Sequence, residues 1–362
     1  MDSQKACLAL GLMSGTSLDG IDAALIRTDG NGTVSPDAWS TTPYGDDLRN
    51  RLRATLGGNG DIKAVERDIT AAHADAVAAL LEREGLTPDA VSVIGFHGHT
   101  IAHRPDEGIT WQIGDGARLA DCTGIDVVCD IRGRDVAAGG QGAPLAPLYH
   151  AALAANLDRP LGVLNLGGVG NVTFLGEGGA ISAFDTGPGC ALIDDWVRRH
   201  DAGGYDVDGA LAASGTVDRD VLAKLLDHPY FDRAPPKSLD RDDFTGDVGE
   251  LSAADGAATL TAFTAEAVGL AQAHLPLPPS RWLVTGGGRH NPTIMAALGD
   301  VLGVPVDPVE AVGWQGDAIE SQAFAYLAVR SLRGLPLSLP ETTGVPRPLT
   351  GGALYRGRRS SL

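Results

Sequence analysis

Residues 7–28 read CLALGLMSGTSLDGIDAALIRT, and this stretch decides the fold class. Two apolar runs enclose a turn at 14–20, which is too short for the crossover helix that joins parallel strands, so an antiparallel β-hairpin is predicted. The same pattern returns at 161–175, as LGVLNL, the turn GGVGN and VTFL. Two such hairpins predict a duplicated α/β fold around a central cleft. We expect an N-terminal domain over 1–150 and a C-terminal domain over 151–362, with the last helix able to return to the first domain.

Runs with helix and strand patterns alternate along the rest of the chain. Residues 61–85 predict a helix closed by Gly85, and residues 91–96 predict a strand followed by a polar loop. A Pro-rich tail at 336–348 predicts an extended surface segment. The other predicted elements are strands near 109–113, 125–130 and 281–285, helices at 189–200, 218–227, 253–274 and 292–302, and a last long helix from Asp317 to Leu332.

The charge balance argues against a nucleic-acid-binding surface. Lys and Arg number 28 against 46 Asp and Glu, which gives a net charge of −18 and a pI near 4.7. Nucleic-acid binding requires a basic surface, and the one basic run is RGRR near the C-terminus. No apolar run is long enough to span a bilayer, and the acidic excess would repel an anionic membrane. Because the four cysteines have no framework spacing and the N-terminus has no signal-peptide pattern, we expect a cytoplasmic protein without nucleic-acid or membrane partners.

Three glycine-rich turns follow apolar runs and together favour a nucleotide site. In such turns the backbone can approach a phosphate closely, N–H groups and hydroxyls supply donors, and in the first turn Asp19 could bind Mg²⁺. An ordinary tight turn is the alternative for each one taken alone. The third turn lies between a strand and a helix start, where a nucleotide can lie against the backbone. The predicted contacts are Ser14, Gly15, Thr16, Ser17, Leu18, Asp19 and Gly20, then Gly167, Gly168 and Asn171, then Gly286, Gly287 and Gly288.

Two acidic residues are candidates for catalysis. Asp185, in the run FDTGPG at 184–189, lies at a strand end before a helix start. A helix N-terminus can bind an anion, and a carboxylate beside it can act as a general base; a helix-capping role for Asp185 is the alternative. Glu320 in the last helix either faces solvent or is a second polar group in the cleft, and the sequence alone favours solvent.

Histidines and arginines in the first half are candidates for substrate binding. The run DIRGRDVAAGGQGAPL at 130–145 contains Arg132, whose guanidinium could clamp an acidic group, while a surface ion-pair loop is the alternative. His97, His99 and His103 have the spacing of some metal clusters. No partner motif supplies further ligands, which favours hydrogen bonding to a substrate or packing.

Eight runs, in this order, resemble the anhydro-N-acetylmuramic acid kinase family of the sugar kinase/heat-shock chaperone/actin superfamily. They are GLMSGTSLDGIDAAL, GFHGHTIAHRP, TWQIGDGARLA, DIRGRDVAAGGQGAPLAP, LNLGGVGNVTF, FDTGPG, LVTGGGRHNP and DAIESQAFAYLAVR, and the resemblance covers roughly residues 8–348. It implies a duplicated actin-like (ribonuclease H-like) ATPase fold, with two domains around a central nucleotide cleft. It also implies a homodimer.

The resemblance implies a reaction and residue roles. A member of this family would use ATP with Mg²⁺, and water, to convert the small sugar 1,6-anhydro-N-acetylmuramic acid into N-acetylmuramic acid 6-phosphate during cell-wall recycling. By matching motif, Asp185 would activate the water, Asp19 would lie near Mg²⁺, and Glu320 would assist the water. His97 and Arg132 match positions expected at the sugar.

The chain departs from the family pattern at three places. The family usually carries Gln where this chain has His99, a smaller aliphatic residue where it has Trp111, and Lys-Ser-Thr-Gly where residues 237–240 read Lys-Ser-Leu-Asp. These departures bear on substrate contacts and hinge behaviour rather than on the reaction class. Two other functions are open on the residues alone. They are a phosphohydrolase, which would turn over nucleotide without a sugar, and a nucleotide-gated binding protein.

Overall fold

The computed structural model describes residues 5–15 and 18–358, and these residues divide into two compact units. The first unit comprises the described residues of Met1–Asn156 and Ala318–Leu362, and the second comprises Leu157–Asp317. The second unit is therefore one continuous stretch of chain, whereas the first is completed by the C-terminal segment.

Both units contain strands and helices, as expected of an α/β protein. In chain order the strands are β1 Cys7–Ser14, β2 Gly20–Thr28, β3 Val34–Pro43, β4 Val93–Arg104, β5 Ile109–Ile113, β6 Val127–Cys129, β7 Leu161–Leu166, β8 Val169–Leu175, β9 Ile181–Pro188, β10 Arg281–Thr285, β11 Val306–Pro308 and β12 Ala353–Tyr355. The α-helices are α1 Asp46–Ala54, α2 Ile62–Arg83, α3 Gly116–Thr123, α4 Gly133–Ala137, α5 Pro147–Leu153, α6 Ala191–Arg199, α7 Ala210–Ser214, α8 Arg219–Leu226, α9 Ala253–Ala271, α10 Pro292–Leu302, α11 Ile319–Leu332 and α12 Pro340–Thr343. In the part of the chain that the structure describes, no helix has both the length and the apolar composition that crossing a bilayer requires.

The sheet of the first unit has the strand order β12-β6-β4-β1-β2-β3, and β5 pairs with the distal half of β4. β1, β2 and β3 are antiparallel neighbours, while β4 runs parallel to β1 and β6 runs parallel to β4. The first predicted hairpin is thus confirmed. The predicted helix at 61–85 is confirmed as α2, which begins after Asp61, whose carboxylate accepts from the N–H of Ala64. Gly85, with a left-handed φ of 63°, follows its end.

The sheet of the second unit repeats the same arrangement. Its order is β11-β10-β7-β8-β9, with β7, β8 and β9 antiparallel and β10 and β11 added in parallel on the other side of β7. This matches the order β6-β4-β1-β2-β3 of the first sheet strand for strand. The second hairpin and the duplicated α/β fold predicted from the sequence are therefore confirmed.

Helix α11 lies directly against the first sheet because two strands have glycine where the helix contacts them. A Cβ added to Gly11 of β1 would lie 1.7 Å from the carbonyl oxygen of Ser321, and one added to Gly95 of β4 would lie 2.0 Å from that of Phe324. Any side chain at either position would clash with the helix backbone, so only glycine permits this approach. All residues from Ser321 to Arg330 are buried, and α11 is thus part of the core of the first unit.

The second unit has a hydrophobic core of its own, built on the largely buried helix α9. Seven buried aromatic side chains fill this core together with the aliphatic ones: Phe174, Phe184, Trp196, Tyr230, Phe231, Phe263 and Trp282. Burial of each such side chain stabilises the fold by about 1.5–3 kcal/mol. A continuous segment with its own core can hold the site residues of the second unit in place.

Local predictions failed where tertiary pairing overrides the local pattern. The polar loop predicted after residue 96 is wrong, because β4 continues to Arg104 and pairs there with β5. The extended surface tail at 336–348 is also wrong in part, because α12 interrupts it and Leu337 and Val345 are buried. Strand β3 and helix α1 had no prediction, since their sequences carry few apolar residues at regular spacing.

Candidate active site

A row of polar side chains crosses four strands of the second sheet. Asp185 of β9 pairs with Asn171 of β8, which pairs with Asn165 of β7. Asn165 is also the neighbour of Thr285 in β10. Neighbours at paired positions point to the same face of a sheet, so the row leads from Asp185 to the glycine turn that begins at Gly286. The sequence analysis missed Asn165 and Thr285, although a polar Asn near the end of the apolar run LGVLNL was an available signal.

Three hydrogen bonds from the segment 230–239 hold Asp185. Its N–H donates to the carbonyl oxygen of Lys237 at 3.0 Å, and its own carbonyl oxygen accepts from the hydroxyl of Tyr230 at 2.6 Å. Its Oδ2 accepts from the N–H of Leu239 at 2.8 Å. The residue is 8% exposed. A buried carboxylate with a fixed direction has the properties that a general base requires.

Asp185 is not a helix cap, and that alternative is wrong. Helix α6 has Cys190 at its N-cap position and no side-chain cap. The N–H groups of Gly189 and Cys190 donate instead to the carbonyl oxygens of Gly168 and Gly167, at 2.9 and 2.7 Å. The start of α6 is therefore docked on the second glycine turn by main-chain hydrogen bonds.

Lys237 is buried beside Tyr230. Its Nζ donates to the carbonyl oxygen of Tyr230 at 3.0 Å and lies 4.4 Å from the centroid of the Tyr230 ring. Burial, together with the charge of Arg233, lowers the pKa of Lys237 to about 8, while Asp232 opposes this shift. Burial and the charge of Asp185 raise the pKa of Tyr230, so its hydroxyl stays protonated and continues to donate to Asp185.

The second glycine turn, Gly167 and Gly168, joins β7 to β8. A Cβ added to either glycine would meet no atom closer than 3.6 Å, so packing within the unit does not require glycine there. The missing side chains leave room above the turn for the close approach of a ligand. Asn171 follows in β8 and is half-buried.

Only the middle position of the third glycine turn is open. A Cβ added to Gly286, which has a φ of 76°, would lie 2.4 Å from Oδ1 of Asn165, and Gly288 is packed closely against β7. No atom lies within 4 Å of a Cβ added to Gly287. The buried Arg289 stabilises the turn, since its Nη1 donates to the carbonyl oxygen of Gly286 at 2.9 Å. Gly287 is thus the position of this turn above which the structure leaves open space.

The first glycine turn lies in the first unit, between β1 and β2. Thr16 and Ser17, two of its predicted contacts, lie outside the described residues. Ser14 ends β1 with a buried hydroxyl, and Gly15 after it is half-buried. Leu18 is buried and has a left-handed φ of 63°, which is unusual for a residue with a side chain.

Asp19 and Gly20 close the first turn. A Cβ added to Gly20 would lie 2.4 Å from the carbonyl oxygen of Thr42, so the pairing of β2 with β3 explains this glycine. Asp19 is exposed, and its carboxylate makes no hydrogen bond or ion pair with a described residue. Among residues 5–15 and 18–358, no group of three or more His, Cys, Asp or Glu is placed to hold a metal ion. A carboxylate such as Asp19 fits Mg²⁺, which often takes one protein oxygen and completes its shell with phosphate and water.

His97 and Arg132, the predicted sugar contacts, meet in the first unit. Nε of Arg132 donates to Nε2 of His97 at 3.2 Å, and Nη1 of Arg132 donates to the carbonyl oxygen of Gly142 at 2.7 Å. The ring of Phe324 in α11 lies 4.6 Å from the His97 ring and 5.9 Å from the guanidinium carbon. Burial and the charge of Arg132 lower the pKa of His97 well below its usual value, so His97 is neutral and accepts from Arg132.

The remaining predicted residues are also in the first unit. Glu320 is exposed in the first turn of α11. Nδ1 of His99 lies 2.9 Å from Oγ of Ser14, and Nδ1 of His103 lies 3.0 Å from Oγ1 of Thr110. The three histidines of the run at 97–103 thus each contact a different partner.

The sequence is similar to one protein family over nearly its whole length. The family model for anhydro-N-acetylmuramic acid kinase matches residues 7–357. An anhydro-N-acetylmuramic acid kinase from Paramagnetospirillum magneticum is 60% identical over 95% of this chain and 98% of its own length. One from Rhizorhabdus wittichii is 57% identical over 96% and 99%. Among solved structures, a ROK family glucokinase from Streptomyces griseus in complex with glucose and AMPPNP has a TM-score of 0.44 and 14% identity, covering 89% of this chain and 99% of its own. The family match includes all three glycine turns and Asp185.

Proposed function

Because the chain belongs to the anhydro-N-acetylmuramic acid kinase family, and is thus an ATP-dependent kinase of cell-wall recycling, we propose that Asp185 activates the water that opens the 1,6-anhydro ring. Water attacks the anomeric carbon, Asp185 takes its proton, and the bond between that carbon and the bridging oxygen breaks. The freed 6-oxygen attacks the γ-phosphorus of ATP, ADP leaves as the bond to the β-phosphate oxygen breaks, and Asp185 then releases its proton to water. The product is N-acetylmuramic acid 6-phosphate.

The observation that supports this role is the way Asp185 is held. Tyr230, Lys237 and Leu239 bind its carbonyl oxygen, its N–H and its Oδ2, so both the backbone and the carboxylate are oriented. General-base catalysis contributes about 10²–10⁴ in rate when the base is correctly directed. A buried, oriented carboxylate in a polar row is suited to that contribution.

The nucleotide contacts are assigned to the glycine turns. The second turn, Gly167 and Gly168 with Asn171, has open space where a phosphate can approach the backbone. Gly287 in the third turn is open in the same way and is assigned to the nucleoside. In the first unit the turn from Ser14 to Gly20 is assigned to phosphate. Phosphoryl transfer depends mainly on positioning the phosphates and neutralising their charge. Main-chain turns of this kind position the phosphates.

Mg²⁺ is assigned to Asp19. When bound, the ion would neutralise the negative charge of the ATP phosphates. Asp19 suits this role because its carboxylate is exposed at the end of the phosphate turn and is not engaged by a described residue. Binding of a hydrated cation there requires little desolvation of the protein.

The sugar contacts are assigned to His97 and Arg132. The substrate carries a lactyl carboxylate, which the net charge of −18 of the protein would repel. A local positive group such as an arginine guanidinium can bind that carboxylate. The guanidinium of Arg132 is held by His97, Gly142 and the Phe324 ring. Glu320 is assigned an assisting role at the water, on the strength of its matching motif.

Assembly and location are proposed from family membership. We assign a homodimer and a cytoplasmic location, where ATP and Mg²⁺ are available. The acidic charge is consistent with a protein that avoids nucleic acid and anionic membranes. Light scattering of the purified full chain would measure the mass of the assembly directly.

The reaction can be tested with ATP and the anhydro sugar in ¹⁸O-labelled water, with prompt mass analysis of the products. We expect one label at the anomeric hydroxyl and phosphate on the 6-oxygen, because water enters at carbon and the phosphoryl group comes from ATP. Label in released inorganic phosphate would indicate a phosphohydrolase. ATP binding without sugar-dependent turnover would indicate a binding protein.

A further inference from the structure

Tyr44 holds both ends of the first glycine turn, although no step of the proposed reaction uses it. Its N–H donates to the carbonyl oxygen of Asp19 at 3.1 Å, and its hydroxyl donates to Oγ of Ser14 at 2.8 Å. Ser14 precedes the turn and Asp19 closes it. A single residue directly after β3 therefore contacts both ends of the turn.

The contact from Tyr44 continues into the sheet. Oγ of Ser14, which accepts from Tyr44, lies 2.9 Å from Nδ1 of His99, so the Ser14 hydroxyl can donate its own hydrogen to that nitrogen. Burial lowers the pKa of His99 to about 4, which keeps the ring neutral and able to accept. Burial also raises the pKa of Tyr44, so its hydroxyl remains a donor. A chain of hydrogen bonds thus connects Tyr44 through Ser14 of β1 to His99 of β4.

One described residue of the turn, Leu18, has a strained backbone conformation. Leu18 has a φ of 63°, and a residue with a side chain keeps such a conformation only where surrounding contacts enforce it. The N–H of Leu18 donates to the carbonyl oxygen of Gly15 at 3.1 Å, and its carbonyl oxygen accepts from Nε of Arg49 at 3.1 Å. Arg49 also donates to the carbonyl oxygen of Tyr44 at 3.0 Å. The Arg49 side chain therefore links the carbonyl oxygen of Leu18 to that of Tyr44.

We propose that Tyr44 is a positioning residue for the phosphates of ATP, acting through the first glycine turn. The proposal rests on the proposed function, in which this turn binds phosphate. Main-chain N–H groups bind an anion well only when their directions converge, and that convergence depends on the spacing of the ends of the turn. Tyr44 sets this spacing without itself touching the phosphate.

The test compares two tyrosine variants in the full chain. Tyr44→Phe removes one buried hydroxyl and keeps the ring. Tyr326→Phe is the matched control, because Tyr326 is also buried in the first unit and its hydroxyl also donates a hydrogen bond, in this case to the carbonyl oxygen of Asn31 at 2.7 Å. The measurements are KM for Mg·ATP, KM for the anhydro sugar, and the thermal melting temperature.

We expect Tyr44→Phe to raise KM for Mg·ATP about fivefold, the factor that one hydrogen bond contributes, and to leave KM for the sugar unchanged. Tyr326→Phe should leave both KM values unchanged while lowering the melting temperature to a similar extent. The conservative variant His99→Gln retains an acceptor for the Ser14 hydroxyl and should behave as wild type, whereas His99→Leu should raise KM for Mg·ATP as Tyr44→Phe does.

Two results would overturn the positioning role. They are an unchanged KM for Mg·ATP in Tyr44→Phe, and an equal rise in the Tyr326→Phe control. The variant Asp19→Asn separates this failure from failure of the proposed function. If Asp19→Asn weakens Mg·ATP binding while Tyr44→Phe does not, the assignment of the first glycine turn to phosphate is supported and only the positioning role of Tyr44 is refuted. If Asp19→Asn leaves Mg·ATP binding unchanged, the turn is not the phosphate site and both proposals fall.

Discussion

Asp185 and Asp19 have the same side chain in opposite surroundings. Asp185 is buried and oriented by main-chain and hydroxyl donors, whereas Asp19 is exposed at the end of a turn. The first environment suits proton transfer, and the second suits a hydrated cation. The departure from the family pattern at 239 leaves the Asp185 contact in place, because Leu239 donates its main-chain N–H rather than a side-chain group.

The two aspartates should therefore respond differently to the same substitution. Asp185→Asn keeps the shape and an oxygen that can accept from Leu239 but removes the basic group, so turnover should fall by at least ~10² with nucleotide affinity nearly unchanged. Asp19→Asn should weaken Mg·ATP binding as well as turnover. Nucleotide titration and a thermal melt of each variant measure the contrast. Loss of nucleotide binding or of folding in Asp185→Asn would make the carboxylate structural, and Glu320 would become the next candidate for the base.

Lys237 should make stability rise with pH in the alkaline range. Its pKa is about 8 in the folded protein against 10.5 for an ordinary lysine, so the unfolded state binds more protons between these values. The unfolding free energy of wild type, relative to that of Lys237→Met, should therefore increase as pH rises from 8 to 10.5, by up to about 3 kcal/mol. Denaturant melts across this range measure it. The exposed Lys224 of α8 supplies the control Lys224→Met, and equal curves for Lys237→Met and wild type would refute the shift.

At the scale of elements, the contact of α11 with β1 and β4 depends on two glycines. The carbonyl oxygens of Ser321 and Phe324 occupy the space where Cβ atoms at Gly11 and Gly95 would be. This contact also places Phe324 against His97 and Arg132. The packing of one helix on a sheet thus positions the residues assigned to the sugar.

Gly95→Ala should destabilise the protein strongly. Its Cβ would lie 2.0 Å from a main-chain oxygen, which cannot move aside as a flexible side chain can, so we expect a loss of at least about 3 kcal/mol. Gly299→Ala is the control, because Gly299 lies within α10 and no atom is within 4 Å of an added Cβ. That variant should gain about 0.5–1 kcal/mol. Unfolding in denaturant compares the two, and equal stability would contradict the close approach of α11.

At the scale of the whole molecule, the two units share a five-strand order but are built from different parts of the chain. The second unit is continuous and holds its own core. The first unit requires α11 and β12 from the C-terminal segment to cover and extend its sheet. The duplicated halves therefore differ in how independent they are of the rest of the chain.

Residues 157–317 should fold alone, whereas residues 5–156 should not. Residues 157–317 contain all strands of their sheet. Residues 5–156 lack α11, the helix that buries β1 and β4, and would therefore leave apolar surface exposed to water. Circular dichroism and thermal melts of the two segments measure this. Joining residues 318–357 to 5–156 through a flexible linker should restore cooperative unfolding. Native-like melting of 5–156 without this addition would show that α11 is dispensable.

Local sequence patterns predicted the hairpins and the helix at 61–85, and they supplied the candidate site residues. Hairpins depend on turn length and alternation, and glycine turns at strand ends depend on backbone freedom, so both are visible in short stretches of sequence. Asp185 stood out as a carboxylate predicted at a strand end before a helix, but in the structure it lies within β9, which continues to Pro188.

The amino-acid sequence by itself thus determined the duplicated hairpins and the residue types of the candidate site, because both follow from short-range spacing. Tertiary structure alone decided which side chains meet. Ser14 and His99 are 85 residues apart, and Tyr230 reaches the carbonyl oxygen of Asp185 across 45 residues. It also decided that α11 completes the first unit and that the histidine run belongs to a strand. Such contacts depend on how distant elements pack, and packing is cooperative over the whole core, so no local pattern encodes them.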